Sequence, residues 1–207
     1  YKRFLADIKL EDDSAVTIHC PNTGSMTNCS DPDSRVWFSR SNNEKRKYHC
    51  TLQIIETKTN DLVDINTNLA NDLVVEAIDN NIIKSLDFYA SLRREVVFGE
   101  QRSRIDLKLE NSSVGRNNCY VEVKNVSYGI SNGIGLFPDA VTLRGQKHLR
   151  DLITIRESGE RTALLFCVQH SGIDFVRPAD KLDPRYGSMS RKAINSGVEV
   201  LAVKAEF

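Results

Sequence analysis

Two short segments carry residue types that hold hard divalent cations: Arg102-Ser-Arg-Ile-Asp-Leu and, after a polar loop, Tyr120-Val-Glu-Val-Lys. Read as strands, Ile105, Leu107 and Leu109 share an apolar face, which puts Asp106 on the other side. In the second segment Cys119, Val121 and Val123 are apolar, leaving Glu122 and Lys124 together on the opposite face. The loop Glu110–Asn118 is rich in Asn, Ser and Gly and nearly symmetric about Val114. A hairpin centred there sets Asp106 across from Glu122. Cross-strand neighbours lie about 4.5–5.5 Å apart at Cβ, and two like charges so placed need compensation. A divalent cation of the Mg²⁺ or Mn²⁺ kind, held by a few carboxylates while water and phosphate fill the remaining positions, supplies it. The backbone carbonyl of Val123 is a further candidate ligand, and Lys124 reaches the same face to hold a water or a phosphate. The competing reading is an exposed sheet face whose Arg104, Asp106, Lys108, Glu122 and Lys124 form solvated ion pairs, and on pattern alone that reading stands ahead.

Two basic groups surround this pair. Between Arg35 and Lys47 stand Arg35, Arg40, Lys45, Arg46 and Lys47 against Glu44 alone. Trp37, Phe38 and Tyr48 interleave with them, the mixture a nucleic-acid groove uses when bases stack beside phosphate contacts. A solvated barrel face with Trp37 in the core is the alternative for the aromatics. The second group is Arg144, Gln146, Lys147, His148 and Arg150, of which residues 144, 147 and 148 share one side of a helix. With Arg102 and Arg104 these side chains are candidates to line a phosphate channel. His148 is a candidate general base, though a histidine among basic residues more often contacts phosphate or donates a structural hydrogen bond.

The elements that must position these groups follow from periodicity. Strands are expected near Tyr1–Leu10, Ala15–Cys20, Arg35–Arg40, Tyr48–Glu56 and Leu62–Ile65, with turn chemistry at Cys20–Met26 and Ser30–Ser34. Five short strands in so few residues suggest a small closed barrel of the OB type. At Thr67 the period changes: Leu69, Leu73, Val74, Ala77 and Ile78 follow helical spacing, with Thr67 or Asn68 as N-cap. Strands are expected at Leu92–Phe98, Arg104–Leu109 and Cys119–Val126. A helix capped by Asp139, with Leu149, Leu152, Ile153 and Ala140 on its apolar stripe, comes next. The run Thr162–Val168 reads as a buried strand. Asp183-Pro184 starts a last helix, Gly197 stops it, and Val198–Val203 closes the chain as a strand. The order α-β-β-β-α-β-α-β argues for an α/β domain with a mixed sheet. The division is therefore a barrel over residues 1–66 and an α/β domain over 67–207, with no flexible linker, so the two should pack closely.

Composition removes several function classes. The 207 residues carry 28 Lys and Arg against 28 Asp and Glu, so no global field recommends nucleic acid or an anionic membrane, and any charged function is local. The longest apolar run, Ala163–Val168, is far short of a membrane span. No secretory pattern opens the sequence. Five cysteines without a close pair point to a reducing cytoplasm, with buried thiols preferred over a zinc site built from His19, Cys20, Cys29, His49 and Cys50.

The arrangement of Asp106 with Glu122-Val123-Lys124, on a hairpin after a helix, resembles the PD-(D/E)XK nuclease superfamily. More specifically, the chain is similar to the sugar fermentation stimulation protein A (SfsA) family. The resemblance rests on Tyr1-Lys-Arg-Phe-Leu-Ala-Asp, His19-Cys-Pro-Asn-Thr-Gly-Ser-Met, Lys45-Arg-Lys-Tyr, Arg102-Ser-Arg-Ile-Asp, Val121-Glu-Val-Lys and Phe137-Pro-Asp-Ala-Val-Thr-Leu-Arg-Gly-Gln-Lys-His-Leu. It implies an OB-like domain joined to a nuclease-like domain, and DNA binding of low sequence preference. It also implies metal binding at Asp106 and Glu122, a catalytic role for Lys124 and a further acidic residue from the preceding helix, for which Glu76 is the match. Catalysis does not follow from membership, because nuclease folds also serve as binding modules. A non-catalytic regulator of sugar (maltose) utilisation genes is the alternative.

Overall fold

Alternating apolar residues with tight turns between them build the first unit. The computed structural model describes residues 4–22, 24–98 and 102–207. Residues 1–3 of the first expected strand, and Thr23 in the following turn, lie outside these. Five strands, β1 (Leu5–Lys9), β2 (Ala15–His19), β3 (Val36–Arg40), β4 (Cys50–Glu56) and β5 (Leu62–Asp64), form one curled sheet of the OB class. β4 is its hub: β3 and β5 pair with it antiparallel, and β2 meets it at His19 and Thr51. Ile8, Ile18, Leu52, Ile55, Val63 and Ile65 fill the interior together with Cys20 and Cys29. All five cysteines are free thiols, Cys20 lying against the Met26 sulfur at 3.6 Å. Among the described residues no three His, Cys, Asp or Glu side chains are arranged to hold an ion, so the zinc alternative has no support.

A 3₁₀ turn at Thr67–Leu69 leads into α1 (Ala70–Asp79), whose N-cap is Leu69 rather than Thr67 or Asn68, with no side-chain cap. The main sheet contains β6 (Tyr89–Phe98), β7 (Ser103–Ser112), β8 (Cys119–Val126), β11 (Arg161–Val168) and β13 (Glu199–Lys204), in the order β13-β11-β8-β7-β6. β8, β11 and β13 run parallel, while β7 and β6 are antiparallel neighbours at one edge. Covered on both faces, β8 and β11 are buried nearly throughout, as central parallel strands are. One face packs on α1 through Val74, Ala77, Leu107, Val121 and Leu165. The other packs on α2 (Leu143–Glu157) and α3 (Pro184–Asn195) through Leu149, Leu152, Leu164 and Tyr186.

Three short strands, β9 (Tyr128–Ile130), β10 (Ile134–Phe137) and β12 (Phe175–Pro178), form a separate small sheet that periodicity does not reveal. The cap expected at Asp139 is instead Thr142, whose hydroxyl accepts from the Gly145 N–H at 3.0 Å, and Ala140 lies outside the helix. Asp139 reaches across to the barrel, where its carboxylate accepts from the Ser25 N–H at 2.8 Å. The second junction is a strand-like contact: Val63 bridges His170, and the Asp64 N–H donates to the Gln169 carbonyl at 3.0 Å. α3 begins as expected, with Asp183 accepting from the Tyr186 N–H at 2.9 Å, and ends before Gly197, whose φ of 89° favours glycine. No helix among the described residues is long and apolar enough to cross a membrane.

Candidate active site and nucleic-acid interface

The hairpin register is the one the loop symmetry implies: Leu107 pairs with Val121 and Leu109 with Cys119. The next position along would join Asp106 to Glu122, and there the ladder stops. The apolar alternation also breaks at this point. Leu107 and Leu109 face α1, whereas Ile105 packs with Tyr120 and Ile155 on the α2 side, so the expected single face for all three is wrong. On the other flank Glu95 adopts a φ of 53°, a conformation costly for a non-glycine residue, and drops out between the pairs Arg94–Leu107 and Val96–Ile105. Where both ladders are interrupted, the Asp106 carboxylate reaches β8 on one side and α1 on the other. Its Oδ2 accepts from the Val123 N–H at 2.8 Å and its Oδ1 from the Asn71 amide of α1 at 3.3 Å. A residue's N–H and C=O point to the same side of a strand, so the Val123 carbonyl also lies on the Asp106 side.

Glu122 is 1% exposed. Its Oε1 accepts from Lys124 Nζ at 2.5 Å and from His148 Nδ1, while its buried Oε2 has no partner. The Arg144 Nε–H donates to His148 Nε2 at 3.3 Å, which fixes the tautomer carrying its proton on Nδ1, toward Glu122. The two carboxyls are thereby driven apart in acidity. Burial and, second, the Glu122 charge push Asp106 above the usual aspartate range, against the Val123 N–H, Lys124 and Asn71. Burial opposes ionisation of Glu122 too, but the His148 hydrogen bond and the Lys124 charge outweigh it and hold Glu122 low. One carboxylate is thus firmly ionised beside a second that resists ionisation.

The structure brings together Asp106, Glu122, Val123 and Lys124 on two adjacent strands, and adds Asn71 and His148. Glu76 is not part of this group. It is exposed on α1, and the α1 side chain that reaches Asp106 is Asn71, on a different helical face. Gln146 is likewise no candidate for nucleic acid: it is buried, and its amide donates to both Asp183 oxygens at 3.0 and 3.1 Å, tying α2 to the start of α3. Arg102, Arg104 and Arg144 are exposed. Arg104 lies 3.7 Å from Glu95, and Lys147 donates to Ser103 at 2.5 Å and lies 3.8 Å from Asp151.

On the barrel, Trp37 and Phe38 are adjacent on β3 and each 39% exposed, beside an irregularity in the β3–β4 pairing. The core alternative for Trp37 is therefore overturned. Arg35 lies over the Trp37 ring at 5.2 Å and Lys47 over Tyr48 at 5.6 Å. Arg40, Lys45 and Lys47 are exposed, and Arg46 is partly anchored to Thr51 at 3.0 Å. Arg35 and Lys47 thus each lie over an aromatic face, an arrangement that suits stacking beside phosphate contacts.

The family described as the sugar fermentation stimulation protein RE domain matches residues 68–207, and the SfsA N-terminal OB domain matches residues 1–65. The sugar fermentation stimulation protein homolog of Shewanella piezotolerans is 54% identical over 207 residues, which is 100% of this chain and 87% of that protein. The homolog of Hahella chejuensis is 52% identical over 207 residues, 100% of this chain and 85% of that one. Among solved structures, Pyrococcus furiosus SfsA in complex with Ca²⁺ matches with a TM-score of 0.84 at 23% identity, covering 98% of this chain and 83% of that one. That likeness is one of fold.

Proposed function

We propose that this chain, which belongs to the sugar fermentation stimulation protein (SfsA) family, binds DNA with low sequence preference and hydrolyses its phosphodiester bonds with the help of a divalent cation. The observation that carries this reading is the buried Glu122, with Oε2 unpartnered, beside an Asp106 whose ionisation its charge opposes. Among the described residues no cationic side chain hydrogen-bonds Asp106, and an orphaned buried carboxylate oxygen costs on the order of 1–3 kcal/mol. The donor set fits a hard ion: two carboxylates and the Val123 carbonyl, all oxygen, suit Mg²⁺ or Mn²⁺. With Glu76 turned away, the protein offers few ligands, which leaves the remaining positions to water and phosphate. The Ca²⁺ of the Pyrococcus furiosus protein supports cation affinity in this fold.

When bound, the cation supplies a more acidic water and offsets charge on the phosphate. The chain's own groups do the rest. Lys124, released from Glu122 Oε1, holds the attacking water or the scissile phosphate. His148 keeps Glu122 in place and ionised. Lys147 and Arg104 hold the backbone on either side, and the barrel's Arg35, Arg40, Lys45, Arg46 and Lys47, with Trp37 and Tyr48, bind the strand beyond the site. Five free thiols fit a reducing cytoplasm.

A non-catalytic DNA-binding regulator is the second reading. It is favoured by the absence, among the described residues, of three acidic or histidine side chains arranged around one point. Incubating the protein with single- and double-stranded DNA, with and without Mg²⁺ or Mn²⁺, decides between them. Cleavage only with the ion supports the enzyme; binding without cleavage under all conditions supports the regulator.

A further inference from the structure

One cation near the carboxylate pair is spent on a neutral ring rather than on an acid. Arg144 is exposed on the first turn of α2, and among the described residues its single hydrogen bond goes to a buried imidazole, Nε–H donating to His148 Nε2 at 3.3 Å, four residues along the helix. Its terminal nitrogens have no partner there. The end of the ring so occupied decides what the other end does. With its Nε2 lone pair committed to Arg144, His148 carries its proton on Nδ1, where it donates to Glu122 Oε1. Lys124 Nζ lies 3.2 Å from that same Nδ1 but 2.5 Å from Oε1, so it donates to the carboxylate and not to the ring. Oε1 therefore takes both donors, and the buried Oε2 takes none.

Without Arg144 the ring loses the contact that fixes its far end. A ring turned with a bare nitrogen toward Oε1 sets lone pair against lone pair, and Glu122 has to move. The dependence grows during the reaction, because Lys124 leaves Oε1 for the water or phosphate and His148 alone then holds it. We propose that Arg144 is a positioning residue: its Nε–H locks the His148 ring and, through the ring, keeps Glu122 in the orientation that leaves Oε2 for the divalent cation. This rests on the cation of the nuclease reading above and deepens it, giving Arg144 a task other than the phosphate contact expected from its charge.

The test replaces an exposed side chain, so the core is left intact. Glutamine places an N–H donor the same number of bonds from Cα as the arginine Nε and carries no charge, lysine keeps the charge but puts a methylene at that position, and methionine offers neither. The Mn²⁺ affinity of the full chain, measured by calorimetry without DNA, should fall about 10–100-fold in Arg144→Met and by a similar factor in Arg144→Lys, and stay near wild type in Arg144→Gln. Charge alone predicts the opposite sign, since removing a positive group beside a cation site tightens it. In EDTA the His148 Nδ1–H proton should give an NMR signal in wild type and Arg144→Gln, and broaden through exchange with water in Arg144→Met. Equal Mn²⁺ affinities for Arg144→Met and Arg144→Gln, affinity kept by Arg144→Lys but lost by Arg144→Gln, or an Nδ1–H signal unchanged in Arg144→Met would overturn the inference. The expected Mn²⁺ ranking in a protein that never cleaves DNA would keep the role of Arg144 and remove the nuclease reading. Metal-dependent cleavage with equal affinities for Arg144→Met and Arg144→Gln would remove the role of Arg144 alone.

Discussion

The barrel surface and the carboxylate site use charge in opposite ways. On the barrel, Arg35, Arg40, Lys45 and Lys47 stand in solvent, Arg35 and Lys47 over the rings of Trp37 and Tyr48, each worth little alone and screened by salt. At the other site Glu122 is nearly sealed, Lys124 and His148 hold it low, and its charge in turn opposes ionisation of Asp106 across the parted strands. Exposed charges give affinity that many residues share. Buried ones give a specific protonation state that a single substitution destroys. The two regions should therefore fail differently.

The largest effect is expected at the buried site. Lys124→Ala and Asp106→Ala should each lower metal-dependent cleavage by at least about a hundredfold, the scale of a positioned proton-transfer or electrostatic group. DNA affinity measured in EDTA should stay nearly unchanged for both. A parallel fall in affinity would erase the contrast between the regions.

Next is the barrel. Replacing Lys45, Arg46 and Lys47 together by Ala should weaken binding to all sequences alike and flatten the salt dependence by up to about 0.9 log unit per lost duplex contact. An unchanged slope in a salt titration would make this segment a solvated face only. Trp37→Ala should cost single-stranded binding about 1–3 kcal/mol, the worth of one stacked base, with little change in melting temperature because the ring is already 39% exposed.

Two smaller effects concern stability. His148→Ala removes the hydrogen bond that holds Glu122 ionised and should destabilise the protein by about 1–3 kcal/mol in chemical denaturation. Asp106→Asn should do the reverse in EDTA. An acid raised above its unfolded value stabilises the fold fully below that value, and the contribution is lost as pH rises through the folded value. Wild type should thus match Asp106→Asn in acid and fall behind by no more than a few degrees of melting temperature above that window, since asparagine keeps the Val123 hydrogen bond without the charge. A gap that widens toward low pH would contradict the assigned shift.

Much of this was legible in the residues. The barrel strands show a period of two between turn-forming clusters, and the symmetry of Glu110–Asn118 about Val114 reproduces the register that pairs Leu107 with Val121. What escaped depends on partners distant in sequence. The face change at Asp106 accompanies a break at Glu95 on another strand, so strict alternation through Ile105 could not reveal it. Glu76 and Asn71 both lie on α1, and only the packing of that helix on the sheet decides which reaches Asp106. Gln146 shares a helix turn with basic residues but faces Asp183, which α3 brings into place. β9, β10 and β12, three or four residues each with Gly129 and Gly135 among them, are too short to display a period.

The central claim, that Asp106 and Glu122 form a pair completed by a divalent cation, is tested most directly by thermal melting with and without Mn²⁺. Wild type should gain melting temperature as Mn²⁺ rises, and Asp106→Asn should lose most of that gain while folding at least as stably in EDTA. Equal gains in both proteins, or none in wild type across concentrations that support binding of DNA, would contradict it.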